Sequence, residues 1–132
     1  MLIVALIIAV LALWYVWKNQ NDDYMETDPT VVRLKRKLMG TFPQLANVRM
    51  IKSDASYTIN KSKIYLCTEF GGKRYDDNML TYVILHELAH VETPEIGHGP
   101  AFMKAFNGLL AIAAANGLWD PNEPRIEKYC KS

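Results

Sequence analysis

DDNMLTYVILHELAHVETP, residues 76–94, opens on three helix-capping side chains and contains no breaker before Thr93-Pro94. Asp and Asn at a helix start accept hydrogen bonds from the first free N–H groups, and negative charge there suits the helix dipole. A helix over residues 78–91 is predicted. At about 100° per residue, Leu80, Ile84, Leu88 and Val91 share one stripe, while Met79, Tyr82, Val83, His86 and His90 fall on the other side. Both sides are largely apolar, so the helix is expected to be buried. A polar side chain on a buried helix needs a partner or costs a few kcal/mol in desolvation. His86, Glu87 and His90 are the three to explain.

Two histidines four residues apart project from adjacent turns of one face, which lets both imidazoles reach a single metal ion at about 2.0–2.1 Å. Glu87 is offset by about a quarter turn from His86. That sets it beside a water at the metal and off the metal itself, the position of a general base. Catalytic zinc takes three protein ligands and keeps a fourth position for water, so a third ligand has to come from beyond the helix. His98 is the best candidate, because the break at Thr93-Pro94 lets residues 91–97 fold back toward the first two ligands. Glu92 and Glu95 are the rivals, and Glu95 is the stronger because Glu92 lies too near the helix end to bend round. All three histidines of the chain fall in this one stretch. Tyr82, one turn before His86, is best read as core.

Upstream, MLIVALIIAVLALWYVW (residues 1–17) holds no charge, proline or glycine. As a helix it would span roughly 25 Å, enough for a bilayer. Trp14, Tyr15 and Trp17 followed by Lys18 place amphipathic rings and then a snorkelling cation at the headgroup level. No basic region precedes the run and no small-x-small site follows it, so it reads as a transmembrane anchor more than as a cleaved signal. Lys18, Arg33, Lys35, Arg36 and Lys37 all follow the run, and the positive-inside tendency then sets the C-terminal domain on the cytoplasmic side. Residues 18–27, KNQNDDYMET, have the composition of a short polar linker. The domain, residues 28–132, begins at Asp28-Pro29, an N-cap and first-turn proline before a stripe of Val31, Leu34 and Leu38. The basic residues opposite that stripe read as a solvated face.

At 132 residues the chain has room for one compact domain. Fifteen Lys+Arg against 14 Asp+Glu leave a net charge of +1, so no strong field draws nucleic acid, which is unsupported as a partner. Cys67 and Cys130 are too few for a disulfide scaffold and read as free thiols. Between residues 47 and 68 the pattern becomes strand-like: Val48 to Lys52, Tyr57 to Ile59, and Ile64 to Thr68. The last two are joined by Asn60-Lys61-Ser62-Lys63 as a hairpin, and a small antiparallel sheet is predicted. Gly71-Gly72 reads as a turn. Gly99-Pro100 starts a final helix with Phe102, Phe106, Leu109, Leu110 and Ala113 on its core face, ending at Asn116-Gly117. Nothing in the pattern speaks to oligomeric state.

The stretch DNMLTYVILHELAHVETPEIGHGPAF, residues 77–102, resembles the SprT/WLM group of zincin metallopeptidases, the group of Spartan. HELAH carries the likeness, together with HGPAF, in which His98 matches the third zinc histidine and Phe102 the aromatic that follows it. In layout the resemblance covers roughly residues 45–130. It implies an α+β zincin-like fold with the active helix packed on the small sheet and a peptide substrate along an edge strand, Ile64 to Thr68. It also implies a Zn2+ cofactor held by His86, His90 and His98, Glu87 as the catalytic base, and peptide-bond hydrolysis. Compact anchored versions with a pair like Tyr129-Cys130 are similar to proteins of large DNA viruses, which implies a host or virion membrane. The rival expectation is an inactive zinc-binding membrane or virion structural protein, with Cys67 or Glu95 as a fourth ligand. If the three-histidine site is right, zinc content measured by mass spectrometry and proteolysis of a protein substrate should both fall in His98→Ala.

Overall fold

The structure is a computed structural model and describes residues 1–94, 97–124 and 130. The chain runs through α1 (Leu2–Glu26), α2 (Pro29–Met39), a short 3-10 helix (Pro43–Asn47), β1 (Arg49–Lys52), β2 (Tyr57–Ile59), β3 (Lys63–Leu66), β4 (Glu69–Phe70), β5 (Lys73–Arg74), α3 (Asp77–Glu92) and α4 (Pro100–Ala115). The class is mixed α+β.

β1, β3 and β2 form a three-stranded sheet in that order, with β1 parallel and β2 antiparallel to β3. The predicted hairpin between the second and third strands is present, but the sheet is mixed and not antiparallel throughout. Nor is β3 an edge. Ile64, Tyr65 and Leu66 are buried in succession, and a strand covered on both faces belongs in the centre of a sheet. The edge next to α3 falls instead to β2, whose Tyr57 and Ile59 are exposed. Gly71 and Gly72, at φ 60° and 80°, make the turn of the separate β4–β5 hairpin, the conformation glycine adopts without steric cost.

Alternation sorts the sheet's side chains between two neighbours. Met50, Ile64 and Leu66 join Leu80, Ile84 and Leu88 of α3 in the main core, with Val31, Leu34 and Leu38 of α2. Ile51 and Tyr65 point to the other face. There the last turns of α1 lie against β1. α2 is capped as predicted, Asp28 accepting from the Thr30 and Val31 amides at 3.1 and 3.3 Å. Its basic face is partly engaged: Arg33 donates to both Asp77 oxygens at 2.6 and 2.8 Å, and Lys35 to the Val48 carbonyl at 2.6 Å.

α1 is long and apolar enough to cross a bilayer, and residues 1–17 are exposed throughout. Residues 18–27, predicted as a polar linker, are helical as far as Glu26: 18–26 continue α1, and Asp22 within them is buried (2 % exposed) and bonded to Tyr65 of the sheet. The Lys18 ammonium pairs with Asp22 at 3.3 Å and lies 5.0 Å over the Tyr65 ring.

The two cysteines are not free either. Cys67, just after β3, is bonded to Cys130, 63 residues on, and the Cys130 amide donates to the Tyr75 hydroxyl at 3.0 Å. Before it, Asp120 and Asn78 bond each other twice, at 3.0 and 2.6 Å. Tyr129 lies outside the described residues. Closing a loop of this length lowers the entropy of the unfolded chain by an amount worth about 4 kcal/mol. Reducing the bond, or replacing Cys130 with Ser, should therefore lower the thermal midpoint of the full chain in detergent by at least several degrees, as read by calorimetry.

Candidate metal centre

α3 starts where its caps predict, with Asp76 accepting from the Met79 amide at 2.8 Å, and is buried along most of its length. It presents His86, Glu87 and His90 into a cleft of about 420 Å³ that is also lined by Tyr57, Thr58, Lys61 and His98. His98 reaches the cleft from the segment before α4, whose N-cap is Gly99. The ligand atoms of His86, His90 and His98 all lie within 4.8 Å of one another. His90 Nε2 and His98 Nε2 are 3.1 Å apart. Two nitrogens on a tetrahedral zinc at 2.0–2.1 Å would stand about 3.3–3.4 Å apart, so this pair would open by about 0.2–0.3 Å to share an ion. Three converging imidazole nitrogens are close enough to hold one metal ion, and imidazole is a donor that suits zinc among other transition metals.

Of the two rivals, Glu92 does not join this group: its carboxylate accepts from Gln44 Nε2 at 2.8 Å on the surface. Glu95 lies outside the described residues. Tyr82 is core, packed against Phe106 and Trp119 at 5.2 and 6.0 Å.

Phe102, one turn into α4, is buried and meets all three imidazoles. Its ring centroid is 5.1 Å from His86, 4.3 Å from His90 in a stacked arrangement, and 4.7 Å from His98. An apolar wall on that side restricts the rings and keeps water to the open side of the cleft.

Glu87 is 6 % exposed. Its Oε2 accepts from the Thr58 hydroxyl at 2.7 Å, and its Oε1 lies 3.3 Å from His86 Nδ1. Burial alone would push this carboxyl up. Hydrogen bonds from His86 and Thr58, with the neighbouring His86 and His90 rings, outweigh burial and hold it below its ordinary value. His90 is also lowered, since burial acts on it more strongly than the attraction of Glu87. A carboxylate kept ionised beside a site of converging nitrogens can accept a proton.

Thr58 and Lys61 did not stand out in the sequence. Thr58 faces α3 because Tyr57, its neighbour on β2, faces the other way and stacks on Tyr65 at 4.6 Å. Only the strand's register shows this. Asn60 and Lys61 adopt left-handed backbone, φ 52° and 56°, and the Lys61 amine reaches the His90 carbonyl at 3.4 Å. The one signal for it was the turn composition around Asn60.

No protein-family model and no solved structure matches the chain. Its relatives are viral. It is 44 % identical over 86 residues to the uncharacterized protein 042R of Invertebrate iridescent virus 3, a match covering 64 % of this chain and 54 % of that protein. It is 38 % identical over 92 residues to the uncharacterized protein 136R of Invertebrate iridescent virus 6, covering 67 % and 52 %. The uncharacterized protein R325 of Acanthamoeba polyphaga mimivirus is 44 % identical over 61 residues, covering 44 % and 31 %. The chain thus spans about half the length of the iridescent-virus proteins.

A hydrogen bond to a charged group contributes about 1.5–3 kcal/mol. Thr58→Val, which removes one of the hydrogen bonds that lower the Glu87 carboxyl, should therefore move its titration upward, as read by NMR.

Proposed function

We propose that the chain is a membrane-anchored, zinc-dependent endopeptidase of the SprT/WLM, zincin-like type. The observation that supports this reading best is the joint presence, in one cleft, of three converging imidazoles and a buried, ionised, hydrogen-bonded carboxylate. A metal site serving only stability has no use for Glu87, which costs desolvation and ligates nothing.

His86, His90 and His98 would hold the ion. When bound there, zinc supplies a Lewis acid that polarises a carbonyl and lowers the pKa of water. Glu87 takes a proton from the attacking water and passes it to the leaving amine. Thr58 holds Oε2 so that the other oxygen keeps one orientation. β2, the sheet edge that lines the cleft, takes an extended peptide by main-chain pairing; this replaces Ile64 to Thr68, which lie inward. The substrate is a protein or peptide.

The rival reading, a zinc-binding membrane or virion structural protein, needs a fourth protein ligand. Cys67 is not free for that role, being bonded to Cys130. The same bond bears on orientation. Disulfides persist where thiols are oxidised, which favours a domain outside the reducing cytosol and opposes the cytoplasmic side suggested by the flanking cations. A covalent bond outweighs the charge bias, which is a statistical tendency.

The full chain, loaded with zinc in detergent, should degrade an unfolded protein such as casein. Glu87→Gln should slow this by about 10²- to 10⁴-fold with zinc content unchanged. Equal rates for the parent and the variant would remove the catalytic reading.

A further inference from the structure

We infer that α1 is a rigid strut that holds the metal cleft at one height and orientation on the bilayer, so that the site serves polypeptide segments tethered to the same membrane. The substrate half of this inference rests on the peptidase reading; the strut does not.

The apolar part of α1, residues 1–17, continues without a break into residues 18–26. Those nine residues carry a charge cluster that meets the sheet. Asp22 accepts from the Tyr65 hydroxyl at 2.7 Å and pairs with Lys18 at 3.3 Å and Lys63 at 3.8 Å. One turn on, Arg49 of β1 bonds Glu26 at 2.8 and 3.0 Å and Asp23 at 2.6 Å. Burial and the Asp22 carboxylate both push the Tyr65 hydroxyl above its ordinary value, so it stays a donor. A carboxylate at 2 % exposure is tolerated only where its partners are fixed. A tether that swings could not keep it.

From Tyr65 the contacts run straight to the cleft. Tyr65 is stacked by Tyr57 on the face that α1 covers, and the next residue of β2, Thr58, turns to the other face and bonds Glu87 in the cleft. Anchor helix, single sheet layer and metal-bearing helix are therefore packed in sequence, α1 on one face and α3 on the other. A domain on a flexible leash samples a wide shell of space and soluble chains alike. One on a strut works at a fixed distance from the lipid, where segments emerging from the bilayer lie.

Two measurements on the full chain in nanodiscs test this. Spin labels at Leu13→Cys and Asn107→Cys, both exposed and away from the cleft, should give a single narrow distance peak. A Gly-Gly-Ser-Gly insertion after Trp17 should broaden it roughly twofold or more, and Tyr65→Phe should broaden it by less. A parent distribution as broad as that of the insertion variant would overturn the strut. The second measurement uses single-pass reporters that carry one common unstructured segment at about 5, 15 or 40 residues from the bilayer, and the same segment free. Zinc-loaded parent should cut one spacing about 10-fold faster than the free segment, and the insertion should level the spacings. Equal cutting of free and tethered segments would overturn the substrate class. If the parent cuts no better than Glu87→Gln while the distance peak stays narrow, the peptidase reading fails and the strut stands.

Discussion

Glu87 is a carboxylate inside an otherwise apolar helix, and the arrangement of the domain around it follows from keeping that charge. The helix supplies a neighbour to only one of its two oxygens. The other takes the Thr58 hydroxyl at 2.7 Å, which requires β2 to run beside α3 in a register that turns Thr58 inward. That register puts Tyr57 on the opposite face and stacks it on Tyr65. β3 must then occupy the middle of the sheet. The other neighbour is His86, and its ring is in turn set by Phe102 and Phe106 of α4, at 5.1 and 5.2 Å. Sheet order, hairpin register and the packing of α4 on α3 converge on the surroundings of one side chain.

The parts legible in the sequence were those governed by local chemistry. Caps, prolines and apolar stripes located α2, α3 and α4, and four-residue spacing paired His86 with His90. His98 was legible because metal stoichiometry demanded a third donor after the helix break. Long-range pairing was less accessible. The edge position of Ile64 to Thr68 comes from the resemblance and not from the residues, whose unbroken apolar run marks a strand covered on both faces. Residues 18–27 read as a linker because their polar side chains show no apolar period; the partners of Glu26 and Asp22 lie 23 and 43 residues away, in Arg49 and Tyr65. For the same reason the Cys67–Cys130 bond was missed: two cysteines 63 apart carry no spacing signal.

The disulfide and the paired Asn78 and Asp120 tie the segment after α4 back to the start of α3 and the end of β3. They brace the region from which α3 enters the core. α4 itself closes the cleft with aromatic rings and contributes no polar group to it among the described residues. The machinery is thus divided. Polar orientation comes from β2, apolar confinement comes from α4, and the converging imidazole nitrogens come from α3 and the segment before α4.

The contact between α1 and the sheet is built from charges where apolar residues would have given more stability, since buried ion pairs often contribute less than a well-packed hydrophobic replacement. Lys18, Lys63 and Arg49 face Asp22, Asp23 and Glu26, three cations to three anions. The patch is neutral overall and costs no net repulsion. Its advantage over an apolar patch is directional. A greasy helix face can slide or rotate on a sheet with little change in energy, whereas Asp22 meets Tyr65 and Lys63 of β3 in only one register. The apolar part of α1 is a smooth rod long enough to cross a bilayer, and that register fixes its direction relative to the sheet.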